Sequence, residues 1–236
     1  MTIRVPTHFP ARVNMRVPNM SFEGSLGMQK GSPFLVEFQD VGVPLATIST
    51  TAIMSVQTMA ANGAAFAAST FVGGVLPMAV PGRGRYGVCL QFVASGANTG
   101  VLEVVGRDYL GQRLVKRVTL AGAVAVTAST GATDTAFWII ESVTVVSGSG
   151  AVNISIGTQN KYGLPFAATA ISGSLIDSVT ASAHTLVTRI TTTQSNSTAD
   201  PRGLITFSSA ANGARTFAAY LMHDYTNLHG NAQNAS

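Results

Sequence analysis

The sequence predicts an all-β fold, organised as a β-sandwich or jelly-roll-like core with an extended N-terminal arm. Short runs of β-branched and apolar residues recur about every 8–14 residues, with Gly, Ser and Asn between them. No segment keeps the 3.6-residue period of an amphipathic helix over several turns. Charged residues make up only 10% of the chain, against about a quarter in ordinary globular domains.

Composition divides the 236 residues into three expected parts. Residues 1–33 hold four of the nine prolines, one acid, several basic residues and spaced apolar side chains, which favours an arm lying over a neighbouring subunit more than a loosely ordered tail. Residues 34–223 form the predicted core, with a sub-boundary near 167–174, and residues 224–236 form a polar tail. The residues expected to contact other subunits are Arg4, Phe9, Arg12, Val13, Arg16, Phe22, Arg83 and Arg85.

In the first part of the core, the sequence predicts strands separated by Gly and Pro. Residues 59–68 stay ambiguous, because alanine favours a helix whereas Asn62-Gly63 favours a turn. The strands predicted here are 33–39, one or two within 45–57, one within 70–80, and 86–95.

The strongest strand pattern lies in residues 99–166. Gly100–Arg107 and Arg113–Ala121 flank a turn at Asp108–Gly111, which predicts a hairpin. The second strand alternates apolar and polar residues except at Val115-Lys116, where we place a bulge. Its water-exposed face is expected to carry Arg113, Lys116 and Arg117, whose charges discourage edge-to-edge association.

Two further hairpins are predicted from Gly-containing loops. The first joins 137–146 to 152–156, and the second joins 203–207 to 215–222 across Asn212-Gly213. Between them we expect a loop at 167–174 and strands at 175–181 and 185–192.

Residues 81–87 form a basic turn whose three glycines spell G-x-G-x-x-G. A dinucleotide site of that pattern needs a helix after the glycines, but a strand pattern follows here, so we expect no nucleotide site. The turn is interpreted either as an ordinary basic surface turn or as a contact point. In the second case Arg83 and Arg85 fork onto a carboxylate or backbone carbonyls of a neighbouring molecule.

No catalytic, cofactor-binding or metal-binding residue is predicted. Cys89 lies alone in a strand pattern, the four histidines have no metal-ligand spacing, and the ten acids are scattered. Neither a nucleophile elbow nor a phosphate-binding loop is present. Trp138 is expected in the core or an interface, and Tyr86, Tyr109 and Tyr162 are expected at turns.

Charge and hydropathy limit where the protein works. A net charge of +4 predicts weak attraction to nucleic acid, so no specific nucleic acid is expected as a partner. No run approaches the roughly 18 apolar residues of a membrane span, and no signal-peptide pattern opens the chain, so we expect no membrane and synthesis in a cytoplasm. A surface so poor in charge predicts that copies or partners cover it.

About half of the sequence resembles the head-decoration, or cement, proteins of tailed bacteriophages and some related virion proteins. The shared features are a strand ending in G-x-D, a turn with Gly, a strand ending in T-L, an A-F pair opening an S-V-T-V strand, and a closing I-G-T followed by G-L-P. A second patch pairs an Arg-Gly with a Gly-containing turn, although Pro201 departs from the apolar residue expected before that Arg-Gly. The matching positions are Gly106, Asp108, Gly111, Thr119-Leu120, Ala136-Phe137, Ser142–Val145, Ile156–Thr158, Gly163–Pro165, Asp200–Gly203 and Ser209–Gly213.

This resemblance implies a non-enzymatic structural protein of the virion that needs no cofactor. It implies a place on the capsid exterior after assembly in the host cytoplasm. The implied partners are the major capsid protein and copies of the chain itself, as a homotrimer. The alternatives are a neck, tail or fibre-base component and a β-sandwich module that binds host glycans; an enzyme is the least favoured.

Overall fold

The computed structural model describes residues 33–40, 44–59, 61–94, 100–120, 126–127, 135–148, 153–181, 184–187, 200 and 202–223. Within them the chain forms strands and a single three-residue 3₁₀ turn at Ala68–Thr70. The strands are β1 Phe34–Glu37, β2 Met54–Thr58, β3 Met78–Ala79, β4 Val88–Ala94, β5 Val101–Arg107, β6 Arg113–Thr119, β7 Val126–Thr127, β8 Ala136–Phe137, β9 Ile139–Ser147, β10 Asn153–Gly163, β11 Ala168–Ile176, β12 Val179–Ala181, β13 His184–Val187, β14 Leu204–Phe207 and β15 Phe217–His223.

These strands form three antiparallel sheets, so the predicted all-β class is confirmed. Sheet I has the order β1-β15-β11-β12, and sheet III has the order β3-β9-β5-β6. Sheet II has the order β13-β14-β10-β4-β7, with β2 also paired to β10 and β8 to β4. The described residues contain no helix that could span a membrane.

All three sheets turn one face toward a common apolar core. Phe217 of sheet I, Phe92 of sheet II and Val104 of sheet III are each 0% exposed and belong to one cluster. The aromatic rings where sheets I and II meet pack edge-on or tilted, with Phe207 4.8 Å from Phe217 and 5.2 Å from Phe38 between ring centroids. Such aromatic contacts add to the hydrophobic burial that holds the sheets together.

The predicted hairpin of β5 and β6 is confirmed, but the prediction of a bulge at Val115-Lys116 is wrong. The two strands pair in unbroken register from Val101 opposite Thr119 to Arg107 opposite Arg113. Because side chains alternate strictly along an unbroken strand, Lys116 shares the inward face of β6 and is 0% exposed. The prediction that Lys116 lies on the water-exposed face is therefore wrong.

The predictions of the other two hairpins, unlike that of β5 and β6, are wrong. β9 pairs with β3 and β5, whereas β10 pairs with β2, β4 and β14, so the chain changes sheets between β9 and β10. Likewise β14 lies between β13 and β10 in sheet II, whereas β15 lies between β1 and β11 in sheet I. The Gly-containing loops that predicted tight turns instead connect different sheets.

Smaller differences lie elsewhere. The expected loop at 167–174 is mostly β11, a strand of largely small residues that pairs antiparallel with β15. The segment 45–57 yields strand only from Met54, and Asn62-Gly63 is a turn as one interpretation had it. The first strand is confirmed as β1, the strand at 86–95 is confirmed as β4, and residues 188–192 of another predicted strand lie outside the described residues.

Candidate functional site

The most distinctive polar feature of the fold is a buried ionic cluster, which we call the clasp and define as Asp108, Asp200 and Arg202. Each of the three residues is 1% exposed. They come from the β5–β6 turn and from the segment that leads into β14. Burying charges is costly unless they pair and hydrogen-bond, so a fully enclosed set of three needs close geometry to persist.

Arg202 joins three separate parts of the chain. Its Nη2 donates to Asp108 Oδ2 at 2.8 Å, and its Nε donates to the carbonyl oxygen of Leu164 at 3.2 Å. Its guanidinium carbon also lies 4.9 Å from the ring centre of Tyr109. Burial works to lower the pKa of Arg202, but the carboxylates of Asp200 and Asp108 outweigh it, so the pKa lies above its ordinary value.

Asp108 organises the turn that follows β5. Its Oδ1 accepts hydrogen bonds from the backbone N–H groups of Leu110 at 3.0 Å and Gln112 at 2.8 Å. A side chain that holds the backbone two residues onward is the usual role of Asp in a turn. Gly111 completes this turn at φ +82°, a conformation that suits glycine.

Asp200 accepts hydrogen bonds from two backbone N–H groups. Its Oδ1 accepts the N–H of Arg202 at 3.0 Å, and its Oδ2 accepts the N–H of Ala136 at 3.1 Å. Burial raises the pKa of this carboxyl, while the positive charge of Arg202 and these two N–H groups act in the opposite direction. Asp200 thus connects β8 to the start of β14.

Two further polar side chains surround the clasp. The hydroxyl of Tyr109 donates to the carbonyl oxygen of Pro165, and burial raises the pKa of Tyr109 to about 12. Burial lowers the pKa of Lys116 to about 8, an effect that the negative charge of Asp200 partly offsets. Both shifts follow from desolvation of the charged form.

The clasp is built for structure and not for chemistry on a substrate. General acid–base catalysis needs a carboxyl within hydrogen-bonding reach of a bound substrate. Here each of the four carboxylate oxygens of Asp108 and Asp200 already accepts a hydrogen bond from the protein, and the residues are closed to water. Among the described residues, no group of His, Cys, Asp or Glu is arranged to hold a metal ion.

The basic turn forms a second polar feature. Arg83 stacks on Trp138, with its guanidinium carbon 3.7 Å from the ring centre, and its Nη1 donates to the carbonyl oxygen of Trp138 at 3.1 Å. Arg85 lies 3.9 Å from the carboxylate of Asp40. A half-open cavity of about 300 Å³ adjoins this turn, mostly apolar, with Asp40 and Arg83 as its charged lining residues.

These contacts locate two of the eight predicted interface residues. Arg83 contacts groups of its own chain, and Arg85 lies near one, with its side chain 32% exposed. Both stay predictions as contact points for another molecule. The remaining six, Arg4, Phe9, Arg12, Val13, Arg16 and Phe22, lie outside the described residues.

The other residues singled out from the sequence divide by burial. Cys89 is buried in β4, as expected of a small apolar side chain. Trp138 is half-buried beneath Arg83. Tyr86 and Tyr109 lie at turns as predicted and pack edge to face with ring centres 5.3 Å apart, whereas Tyr162 lies within β10.

No protein-family model, curated protein or solved structure matches the chain. The clasp itself was missed at the sequence level, since Asp108 and Arg202 are 94 positions apart and look like isolated charges. The available signal was local: Asp108 precedes a Gly-containing turn, and Asp200 stands two residues before Arg202.

Proposed function

We propose that this protein is a non-enzymatic structural component of a tailed-phage virion, most specifically a capsid decoration protein. The observation that supports it best is the meeting point of the segments that resemble such proteins. The G-x-D turn at Asp108, the G-L-P segment at 163–165 and the Arg-Gly segment at 202–203 all converge on the clasp.

Each resembling position near the clasp has a structural task. Leu164 supplies the carbonyl that accepts from Arg202, and Pro165 supplies the one that accepts from Tyr109. Gly163 is required because a Cβ there would collide with the carbonyl oxygen of Tyr86. The matching residues near the clasp therefore have structural roles, which supports a structural component over an enzyme.

The surface supports the same proposal. Half-exposed apolar side chains are spread over several sheets, and the chain has few charges to keep such surfaces apart in solution. In the proposed role, those surfaces are covered by the major capsid protein and by copies of the chain in a homotrimer. The core is proposed to have jelly-roll-like connectivity, and the N-terminal arm to reach across capsomer boundaries.

The proposed mechanism is additive. At about 25 cal/mol per Å² of apolar surface, even a small arm contributes meaningfully when it is repeated over a whole shell. Internal DNA pressure then has to break many such contacts before the shell opens. No cofactor, membrane or specific nucleic acid takes part in this role.

The decisive measurement is the copy number of the protein in purified virions, by quantitative gel densitometry or cryo-electron microscopy. A decoration protein is expected in hundreds of copies at three-fold or quasi-three-fold positions. A copy number of about a dozen or fewer contradicts shell decoration and indicates a neck, tail or fibre-base component instead. Saturable binding on a glycan array, lost in Trp138→Ala, would instead indicate a host-glycan module.

A further inference from the structure

We infer that residues 12–17 of one copy add as an extra strand to the outer edge of β1 in a neighbouring copy. This inference rests on the proposed function, because it names the acceptor for the arm. It starts from two features, a strand edge in sheet I that no other described strand pairs with from Leu35 to Glu37, and a short alternating stretch in the sequence of the arm.

The edge is the outer side of β1. β1 is the terminal strand of sheet I and pairs with β15 on one side. From Leu35 to Glu37, no strand of the described residues lies on the other side. A strand edge of this kind offers backbone donors and acceptors to an added strand, which is how many proteins capture extended peptides.

The two faces of this edge differ. Val36 points into the core and is 6% exposed, whereas Leu35 on the opposite face is 52% exposed. Glu37 shares the outer face with Leu35 and forms no ion pair among the described residues. A matching strand therefore needs apolar residues toward the core and positive charge on its outer face.

The arm contains such a sequence. Residues 12–17 read Arg-Val-Asn-Met-Arg-Val, a strict alternation of polar and apolar side chains. If Val13, Met15 and Val17 continue the core beside Val36, then the outer face carries Arg12, Asn14 and Arg16 beside Glu37. Pro10 and Pro18 bound the stretch, so the added strand is limited to about its own length.

The length of chain between the stretch and β1 favours a neighbouring copy over the same copy. Sixteen residues, 18–33, separate the two. Folding back within one chain would make them a hairpin loop, and unstructured loops longer than about 12–15 residues are uncommon in compact domains. Extended, they span roughly 53–58 Å, more than enough to leave the subunit and reach the next one.

Disulfide trapping tests the contact in the full chain. Two single variants, Asn14→Cys and Leu35→Cys, both replace residues assigned to the outer face, and the native Cys89 is 0% exposed. We expect mild oxidation of their mixture to give a disulfide-linked heterodimer. The matched control pairs Asn14→Cys with Thr119→Cys, an exposed residue on β6, the terminal strand of sheet III.

Each outcome decides the inference. A heterodimer that forms at least several-fold faster with Leu35→Cys than with Thr119→Cys supports it. Equal rates, or no heterodimer, overturn it. In the double variant Asn14→Cys/Leu35→Cys, a linked ladder supports exchange between copies, whereas a product linked only within one chain overturns it.

A charge reversal gives an independent measurement. Glu37→Arg is expected to weaken self-association roughly 2–10-fold by placing like charges on adjacent strands, as judged by sedimentation. Combining it with Arg12→Glu and Arg16→Glu is expected to restore most of that loss. Copy number in the virion is measured separately. A failed cross-link with a high copy number refutes the arm contact alone. A successful cross-link with a low copy number refutes shell decoration alone.

Discussion

Arg202→Met removes the guanidinium of the clasp while keeping a side chain of similar reach. Asp108 then loses its partner at 2.8 Å while remaining buried at 1% exposure. Breaking a buried pair by removing one member costs about 3–5 kcal/mol, because a desolvated charge is left without its counter-charge. That is a large part of the 5–15 kcal/mol by which a typical domain is stable.

Urea unfolding measures this loss. With a denaturant slope near 3 kcal/mol/M, the expected midpoint shift is roughly 1–1.7 M. The control is Arg117→Met, which removes an ion pair of 3.1 Å with Glu103 whose side chains are 50% and 27% exposed. Exposed pairs contribute about 0–1 kcal/mol, so this control is expected to shift the midpoint only slightly.

A double variant separates the charge pair from simple loss of packing. Asp108→Asn keeps an oxygen that accepts the two backbone N–H groups of the turn but removes the buried negative charge. In Asp108→Asn/Arg202→Met the combined loss is expected to be about 1–3 kcal/mol smaller than the sum of the single losses. If Arg202→Met costs no more than Arg117→Met, or if the losses simply add, the clasp does not hold the fold as we argue.

Three further predictions concern stability and the basic turn. Burial lowers the pKa of Lys116 from 10.5 to about 8. Between pH 8 and pH 10.5 the unfolded chain therefore binds more protons than the folded chain. The free energy of unfolding of the wild type accordingly increases as the pH rises through this range. Lys116→Met is accordingly expected to stabilise the protein most at pH 7 and progressively less toward pH 10.5 in urea titrations; a pH-independent difference contradicts this. Gly163→Ala forces a Cβ into a backbone carbonyl and is expected to lower the free energy of unfolding by about 3 kcal/mol. Gly111→Ala is expected to cost less, because its Cβ meets open space and only the backbone at φ +82° is strained. Equal shifts of the urea midpoint in the two variants would refute the collision at Gly163. Arg83→Ala is expected to shift the emission of the single tryptophan to longer wavelength, whereas Arg85→Ala leaves it unchanged; identical spectra for both variants contradict the stacking.

The elements predicted correctly are those that short stretches of sequence determine. The fold class, β4 and the β5–β6 hairpin follow from alternation and turn residues that lie within a few positions of each other. The first strand was found for the same reason. Each of these elements pairs with a neighbour in sequence or has a burial pattern readable along one strand.

What failed depends on contacts between distant segments. A Gly-containing loop looks the same whether it closes a hairpin or connects two sheets, so the loop after β9 gave the wrong partner for β10. The placement of Lys116 failed because a charged side chain on a strand is ordinarily assigned to water. Its burial follows from unbroken register with β5 and from the clasp nearby, and neither is visible in the neighbouring residues.

The candidate site shows the same limit. The sequence resemblance marked Asp108 and Asp200 as positions of interest without indicating that they surround one arginine. The ion pair of Asp108 with Arg202 and the hydrogen bond of Arg202 to Leu164 require three segments to meet. These are the β5–β6 turn, the residue after β10 and the segment before β14, and only the whole fold brings them together.

The 94-residue separation of Asp108 from Arg202 has a consequence for biosynthesis. At translation rates of about 5–20 residues per second, the acid waits roughly 5–20 s for its arginine to be made. Until Arg202 is made, burying the β5–β6 turn would leave the Asp108 carboxylate without its ion-pair partner, at a cost in free energy. Burial of this turn is therefore expected to come late, after residue 202 has left the ribosome.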